Sequence, residues 1–598
     1  MDYKINFLLS TGQQSEVTVE EGTTLLEAAA RAGAAVEGNC GGKGTCGKCK
    51  VRLTEKSTAA PTETEKRLLS AEEIAGGWVL ACQRTITEDL TVEVPGQSDA
   101  FRRKISLTED DGDIEAEPVI RKIELTLDPP TVKDQTADLE RLLEQLPRGL
   151  RCPYRLLTGL PQKLRQEKFS VTAVLGPERL IAVEPGQTGS SLYGVAFDIG
   201  TTTIMGSLHE LASGKTLAIG AATNPQNVYG ADVISRITYA STNDGGLERL
   251  QQKVVEALNA IIGDLVREAG IAGDEIYEAV AVGNTTMSHL FLGIDPTYLA
   301  PAPFVPAYRR PGVLEAAEIG LAINPGGQVV LLPNIAGYVG SDTLGVILAT
   351  GLEQRRDRCA VIDIGTNGEL ALAAGGRILT CSTAAGPAFE GAQIKHGMRA
   401  ADGAIEAVQI VEDEISLEVI GGTRPRGICG SGLIDAAAVL LKAGVIEPSG
   451  RFANPETTGQ ELPAPLKARL RPGKGGFGFL LADSGKKGKG VEILLTQSDI
   501  RELQLAKGAI YAGLQVLLQE AGLKETDLDQ VLLAGAFGNY IRTESAREIG
   551  LLPSIPLKKI TPVGNAAGRG ARMALISRSV RAQAFALPDL VEHVELST

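Results

Sequence analysis

The chain has 598 residues, 43% of them hydrophobic and 70 of them glycine, enough for several domains with their own cores and many tight turns. A formal charge of −14 argues against a nucleic-acid partner, whose phosphates need basic surface, and a single Trp with 4% aromatic residues offers no base-stacking platform. Its 8 cysteines are too few for a disulfide scaffold, Met1-Asp2-Tyr3-Lys4 opens no apolar signal core, and no later run is long enough to span a bilayer, so a cytoplasmic protein with no membrane association is expected.

Apolar residues alternate through Ile5, Phe7 and Leu9, predicting a strand over residues 3–9, with a second at 16–19. Glu21-Gly22-Thr23-Thr24 sets up an N-cap for a helix over 25–30. A glycine-rich run, residues 39–49, then carries Cys40, Cys46 and Cys49, and Cys82 follows a predicted strand at 78–81. This C-x5-C-x2-C…C spacing differs by one residue from the plant-type [2Fe–2S] pattern C-x4-C-x2-C…C. The glycines fit a loop that wraps a charged inorganic core and aims backbone N–H groups at its sulfurs. Zinc is the competing ligand, but zinc ribbons supply two CxxC pairs and this run has one. Cys40, Cys46, Cys49 and Cys82 are therefore the predicted metal ligands. Strands at 50–53 and 90–94 and a helix at 62–69 complete a unit over residues 1–95. It resembles a β-grasp ferredoxin, and the five-residue first gap occurs in ferredoxins of the adrenodoxin kind.

Residues 96–117 are polar, with Asp110-Asp111-Gly112-Asp113, and read as a flexible linker on which the first domain swings. A small α+β middle domain is expected over 118–192, with strands at 120–127, 170–175 and 179–183 and a helix at 136–145. It has no catalytic constellation, and Cys152 reads as a packing residue.

At 195–203 an apolar strand ends in Asp198, followed by Gly200, Thr201, Thr202 and Thr203; at 360–370 the same unit returns with Asp363, Gly365, Thr366 and Asn367. Duplication at this period predicts two related lobes rather than a solenoid. A tight glycine turn offers N–H and O–H donors to phosphate oxygens, and an Asp at the strand end can hold hydrated Mg²⁺ or position the attacking water. Asp198 and Asp363 are thus the catalytic candidates, and Gly200, Thr201, Thr202, Gly365, Thr366 and Asn367 the phosphate-gripping ones. A third strand, 531–534, ends in the small-residue turn Gly535-Ala536-Phe537-Gly538-Asn539, where Gly535, Ala536 and Gly538 would let an adenosine approach backbone. Gly430 and Ser431 open an apolar helix whose N-terminus suits a nucleotide contact. Segments 224–236, 282–287 and 331–337 end in polar clusters, and 382–391 reads as a lobe-linking or switch loop; a structural turn stays open as the reading of each. No G-x-x-x-x-G-K-[ST] is present, which excludes a P-loop NTPase. Cys359, Cys381 and Cys429 read as buried thiols, and the four histidines lack ligand spacing.

The two DIGT loops and the Gly535 turn, in this order, resemble the actin, hexokinase and Hsp70-type ATPase superfamily. The expected fold is therefore multidomain α/β and α+β: β-grasp [2Fe–2S] ferredoxin, linker, small middle domain, and a two-lobed actin/hexokinase/Hsp70-like ATPase over 193–598. Plant-type clusters sit near about −400 mV, and each further ~59 mV uphill costs about tenfold in a one-electron equilibrium, so a lower acceptor needs an ATP-driven bias. Across essentially its whole length the chain resembles the ATP-dependent reductive activators of corrinoid proteins. That resemblance implies a [2Fe–2S] cluster, ATP and Mg²⁺ as cofactors, and one-electron reduction of cob(II)amide to cob(I)amide. It also implies dimerisation through the ATPase domain. The implied partner is a corrinoid iron–sulfur protein or a corrinoid methyltransferase component, which would carry the cobalamin, since D-x-H-x-x-G is absent here. Three other readings stay open: an ATP-driven electron donor to a radical dehydratase or ring reductase, a small-molecule kinase with a redox-sensing module, and a nucleotide-dependent binding or chaperone module, for which a redox cluster would be superfluous.

Overall fold

The computed structural model describes all residues except 10–13, 35, 37–41, 43, 45–46, 55–59, 95–113, 392, 455–461, 474, 484–491, 536–539 and 597–598. At the N-terminus, β1 (Asp2–Leu9), β2 (Gln14–Glu20), β3 (Lys50–Leu53), β4 (Trp78–Leu80) and β5 (Leu90–Val94) form one sheet in the order β2-β1-β5-β3-β4. The alternation seen in the sequence puts Ile5 and Phe7 on its buried face. Thr24 and Glu27 close a capping box on helix Leu25–Arg31, whose Leu25, Leu26, Ala28 and Ala29 cover that face.

A second capping box does more than start a helix. Glu65, in helix Glu63–Leu68, caps with one oxygen by accepting from the Thr62 amide at 2.8 Å. Its other oxygen accepts from the Leu80 amide at 3.0 Å and from Arg84 Nε at 3.0 Å. The carboxylate is only 1% exposed. It thereby holds both ends of the segment that carries Cys82.

β6 (Arg121–Thr126), β7 (Ser170–Leu175) and β8 (Leu180–Pro185) form a three-stranded antiparallel sheet with helices Asp138–Glu144 and Leu160–Gln166 packed on it. Its other face joins the next domain: Val174 and Ile181 share a core with Tyr277 and Val330, and both Arg155 and Arg179 pair with Glu315 at 3.1 Å.

Two larger sheets follow. The first contains β9 (Tyr193–Ile199), β10 (Thr203–Glu210), β11 (Thr216–Thr223), β12 (Ile276–Gly283), β13 (Leu314–Glu315) and β14 (Gln328–Leu331), in the order β11-β10-β9-β12-β14-β13. The second begins with β15 (Cys359–Ile364), β16 (Gly368–Ala374) and β17 (Arg377–Thr383). An insertion then contributes two small sheets, from β18 (Ala404–Val411), β19 (Glu414–Val419) and β20 (Gly427–Ile428), and from β21 (Leu470–Gly473), β22 (Gly476–Asp483) and β23 (Glu492–Leu495). The second sheet is completed by β24 (Gln530–Ala534), β25 (Ile560–Gly564) and β26 (Val591–His593), giving β25-β24-β15-β16-β17-β26.

The shared part of the two sheets, β11-β10-β9-β12-β14 and β17-β16-β15-β24-β25, has one topology: an antiparallel meander with two parallel strands added beside its first strand. The duplicated sequence unit is thus a duplicated fold. Helix Ser341–Thr350 follows the first sheet and helix Ala566–Ile576 closes the second, and they cross where Gly345 meets Gly570. A Cβ on Gly570 would collide with the Gly345 backbone, and one on Gly345 would lie 2.8 Å from the Ala567 carbonyl.

Removing Glu65 takes the shared acceptor from the Leu80 amide and from Arg84 Nε, breaking a buried charged network at a cost of about 3 kcal/mol. Glu65→Ala is therefore expected to lower the melting temperature of the N-terminal domain, read from its visible absorbance, while the far-UV transition of the two-lobed domain stays in place. Unchanged visible melting would remove Glu65 from this role.

Candidate functional site

Each DIGT loop is a hairpin at the end of its sheet, closed by the pairs Ile199–Ile204 and Ile364–Gly368. Asp198 lies beside Val282 of β12, and Asp363 beside Ala534 of β24. In both lobes the strand leaving that neighbour must be glycine. A Cβ on Gly283 would lie 2.8 Å from the Ile199 carbonyl, and one on Gly535 would lie 2.7 Å from the Ile364 carbonyl and 2.6 Å from Asp363 Oδ1. Gly535, at φ +96°, thus sits directly on the second DIGT loop. Ala536 and Gly538 lie outside the described residues.

The two loops face each other across the cleft. Thr202 Oγ1 and Thr366 Oγ1 are 3.0 Å apart, and both reach Glu390, at 2.9 and 2.5 Å. Each hydroxyl has one hydrogen, so both donate to the Glu390 carboxylate. Thr201 turns the other way: its hydroxyl accepts from Asn284 Nδ2 at 2.8 Å and its carbonyl from Arg236 Nη2 at 2.5 Å. Asn224 Nδ2 donates to the Gly200 carbonyl at 3.0 Å. Arg236 is fully buried and also donates to the Gly230 carbonyl and Gln226 Oε1. Burial pushes it down to about 9, which leaves it cationic at neutral pH. The segments around 224–236 and 282–287 therefore buttress the first DIGT loop from behind. Gly430 and Ser431 are buried at the start of helix Gly430–Lys442, with Gly430 packed on the Phe389 carbonyl, next to Glu390.

Asp198 and Asp363 share the cleft with Asp342, from the first turn of helix Ser341–Thr350, and Glu369, which pairs with Asp363 across β15 and β16. Burial, reinforced by the other carboxylates, pushes Asp198 up to about 7 and Asp363 up to about 8; burial likewise holds Asp342 near about 6 and Glu369 well above the usual carboxylate range. An Asn565 side chain hydrogen bond to Asp198 and an Asn367 bond to Glu369 oppose this only in part. Among the described residues no three His, Cys, Asp or Glu converge into a metal cage. Such spaced carboxylates suit a hydrated Mg²⁺, which keeps several waters and takes its remaining ligands from substrate phosphates. Glu369 lies within the second unit but was not singled out in the sequence, since the first unit has Met205 in the corresponding place. Glu390 lies in the 382–391 segment read from the sequence as a lobe-linking or switch loop, whereas Asp342 carried no signal, because a distant helix brings it in.

In the N-terminal domain, Cys49 and Cys82 are buried, 2% and 7% exposed. The Cys82 amide points at Cys49 Sγ at 3.4 Å, and Gln83 Nε2 lies 3.5 Å from Cys82 Sγ and donates to the Gly42 carbonyl at 3.3 Å. Gly44, at φ +67°, passes so close to Gln83 that a Cβ would lie 2.7 Å from its amide carbon. Paired thiols with N–H donors aimed at their sulfurs fit an iron–sulfur cluster. Cys40 and Cys46 lie outside the described residues. Cys359, Cys381 and Cys429 are core residues, and burial pushes the first two up to about 11 and 12.

Residues 357–598 match the C-terminal domain of RACo, the ASKHA domain; 193–355 match the RACo middle region, 109–190 the RACo linker region, and 9–87 the 2Fe-2S iron-sulfur cluster binding domain. The corrinoid activation enzyme RamQ of Eubacterium limosum is 34% identical over 98% of this chain and 95% of its own. The chain belongs to the RACo family. A solved reductive activator for corrinoid, iron-sulfur protein superposes with a TM-score of 0.72 at 38% identity, covering 100% of this chain and 96% of that one. The [Co(II) methylated amine-specific corrinoid protein] reductase of Methanosarcina barkeri is 28% identical over 65% of this chain and 71% of its own length. As a RACo-family member the chain joins a [2Fe–2S] domain to an ASKHA ATPase domain, with ATP and Mg²⁺ as its further cofactors. The family's middle region corresponds to the first lobe, and its linker region contains the β6-β7-β8 unit. No helix among the described residues is long and apolar enough to cross a membrane.

The raised carboxylates set a pH dependence. Their folded values exceed the unfolded ones, near 3.8 for Asp, so the folded protein holds extra protons between about pH 4 and 8. The stability this contributes is fully present below about pH 4 and lost progressively as pH rises to about 8. The melting temperature of the ligand-free protein is expected to fall over that window, and Asp363→Asn to flatten the fall. MgATP, which favours ionised carboxylates, is expected to bind more tightly at pH 8 than at pH 6. A flat wild-type melting profile from pH 6 to 8 would contradict the charge assignment.

Proposed function

We propose that this protein passes one electron to the cob(II)amide of a corrinoid protein, regenerating cob(I)amide, and that ATP binding and hydrolysis drive the uphill transfer. The observation that carries the reading is the meeting of the two DIGT loops, Thr202 against Thr366, in one cleft with Asp198 and Asp363, on a chain whose cysteine loop brings Cys49 to Cys82. Full-length similarity to relatives named as corrinoid activators supports the choice of acceptor.

Cys40, Cys46, Cys49 and Cys82 would hold the cluster, which supplies a one-electron donor. Gly200, Thr202, Gly365, Thr366 and Asn367 would bind phosphates, joined by the Thr201 backbone. Asp198 and Asp363 would hold hydrated Mg²⁺ or orient the attacking water. Gly535, Ala536 and Gly538 would receive the adenosine, with Gly430 and Ser431 at the helix terminus behind. The domain division is 1–95, 96–117, 118–192 and 193–598. The partner is a corrinoid iron–sulfur protein or a corrinoid methyltransferase component, met in the cytoplasm by a homodimer joined through its ATPase domains.

The test mixes reduced protein with a cob(II)amide-loaded corrinoid protein, with and without MgATP, and follows cob(I)amide absorbance. Formation of cob(I)amide only with MgATP is expected; formation independent of ATP sinks the coupling, and phosphate transfer to a small molecule would favour a kinase. Cys49→Ala is expected to abolish the reduction while nucleotide affinity stays within twofold of wild type.

A further inference from the structure

One polar group in the cleft is on the wrong side of the charge balance. Glu390 places an anion between Thr202 and Thr366, where the proposed function puts nucleotide phosphate. Each hydroxyl hydrogen serves one acceptor at a time and both are spent on Glu390, so a phosphate oxygen gains either donor only by displacing the carboxylate, and the two anions repel each other at this range. MgATP and Glu390 must therefore compete for the same donors.

The chain leaving Glu390 leads to the [2Fe–2S] domain. Gly391, at φ +74°, lies with its backbone on Gly397: a Cβ on Gly391 would stand 2.9 Å from the Gly397 carbonyl carbon and 2.6 Å from the Met398 amide. A Cβ on Gly397 would in turn collide with the Gly391 carbonyl. The two backbones touch directly, so a shift of one presses on the other. The Gly397 carbonyl accepts from Lys48 Nζ, and Lys48 adjoins Cys49 in the cluster loop. Just beyond, Arg399 Nη1 donates to Thr223 Oγ1 of the first lobe at 2.7 Å. The same N-terminal domain is also held on the first lobe, where Lys253 Nζ donates to the Ala30 carbonyl at 3.1 Å and Val228 packs against its core. One domain thus touches both lobes, and its Lys48 contact with the second lobe lies on the connection that carries Glu390.

We propose that Glu390 is a nucleotide-displaced latch: with no nucleotide its carboxylate ties Thr202 to Thr366, and MgATP, by taking those hydroxyls, drives Glu390 out and through Gly391 and Gly397 loosens the Lys48 anchor of the cluster loop. The consequence is that the cluster loop becomes accessible to an acceptor when nucleotide is bound. Glu390 is a positioning residue here, acting through the backbone behind it. This rests on the nucleotide reading of the cleft.

The test uses the full-length cluster-loaded protein, with amide hydrogen exchange of residues 42–49 and 396–399 and direct titration of MgATP. Wild type is expected to bind MgATP and to exchange several-fold faster in both segments when it does. Glu390→Ala is expected to bind MgATP about tenfold more tightly, since a competing charged acceptor is gone, and to exchange fast with or without nucleotide. Lys48→Met is expected to keep wild-type MgATP affinity and visible absorbance, with fast exchange at 42–49 in both states and a retained response at 396–399. Weaker MgATP binding by Glu390→Ala, or a wild-type nucleotide response at 42–49 in either variant, overturns the latch while leaving the nucleotide cleft standing. Failure of wild type to bind MgATP overturns both.

Discussion

The backbone contact between Gly345 and Gly570 is the constraint on which the cleft depends. Helices that carry no Cβ at their crossing approach until main chains touch, and that brings their N-termini close to both sheet ends. Asp342, in the first turn of one helix, then repels Asp198 and Asp363, and Asn565, capping the other, reaches Asp198. A larger residue at either glycine would part the lobes, and Thr202 could no longer lie 3.0 Å from Thr366.

The cleft that results is electrostatically unfinished. Four carboxylates share a poorly solvated space, and burial with mutual repulsion raises the proton affinity of each above that of a free carboxylate. Arg236 does not relieve them: its guanidinium is spent on the Thr201 and Gly230 carbonyls and on Gln226, holding the first DIGT loop in shape. The energy of a hydrated divalent ion and its phosphates is therefore available to rearrange the cleft. Glu390 is the acidic group most directly opposed to their arrival.

The N-terminal domain solves a different problem with the same economy. Cys82 lies far in sequence from the other three cysteines and must be positioned by residues outside their run. Glu65 does this from a helix lying between the CxxC pair and Cys82 in sequence, joining its own cap to Leu80 and Arg84. That is why Cys82, remote from the other three cysteines, still meets Cys49.

Much of this was legible in the residues. The strand at 3–9 carried a period of two, Thr24 announced the first helix, and the repeated Asp-Ile-Gly-Thr announced a duplicated lobe, because each is a local pattern that local physics enforces. Helices Ala71–Ala75 and Tyr154–Leu157 were too short to show a period, and β26 joins the second sheet beside β17 from the far end of the chain. By itself the sequence determined the cysteine spacing, the paired DIGT turns and hence the pairing of an iron–sulfur domain with a two-lobed ATPase. Only the tertiary structure decided that Thr201 faces its buttress while Thr202 faces the cleft, that Asp342 joins the acidic group, and that Glu390 and Lys48 lie at two ends of one connection. Those facts depend on which side a chain presents after long loops close, and no periodicity or spacing encodes that.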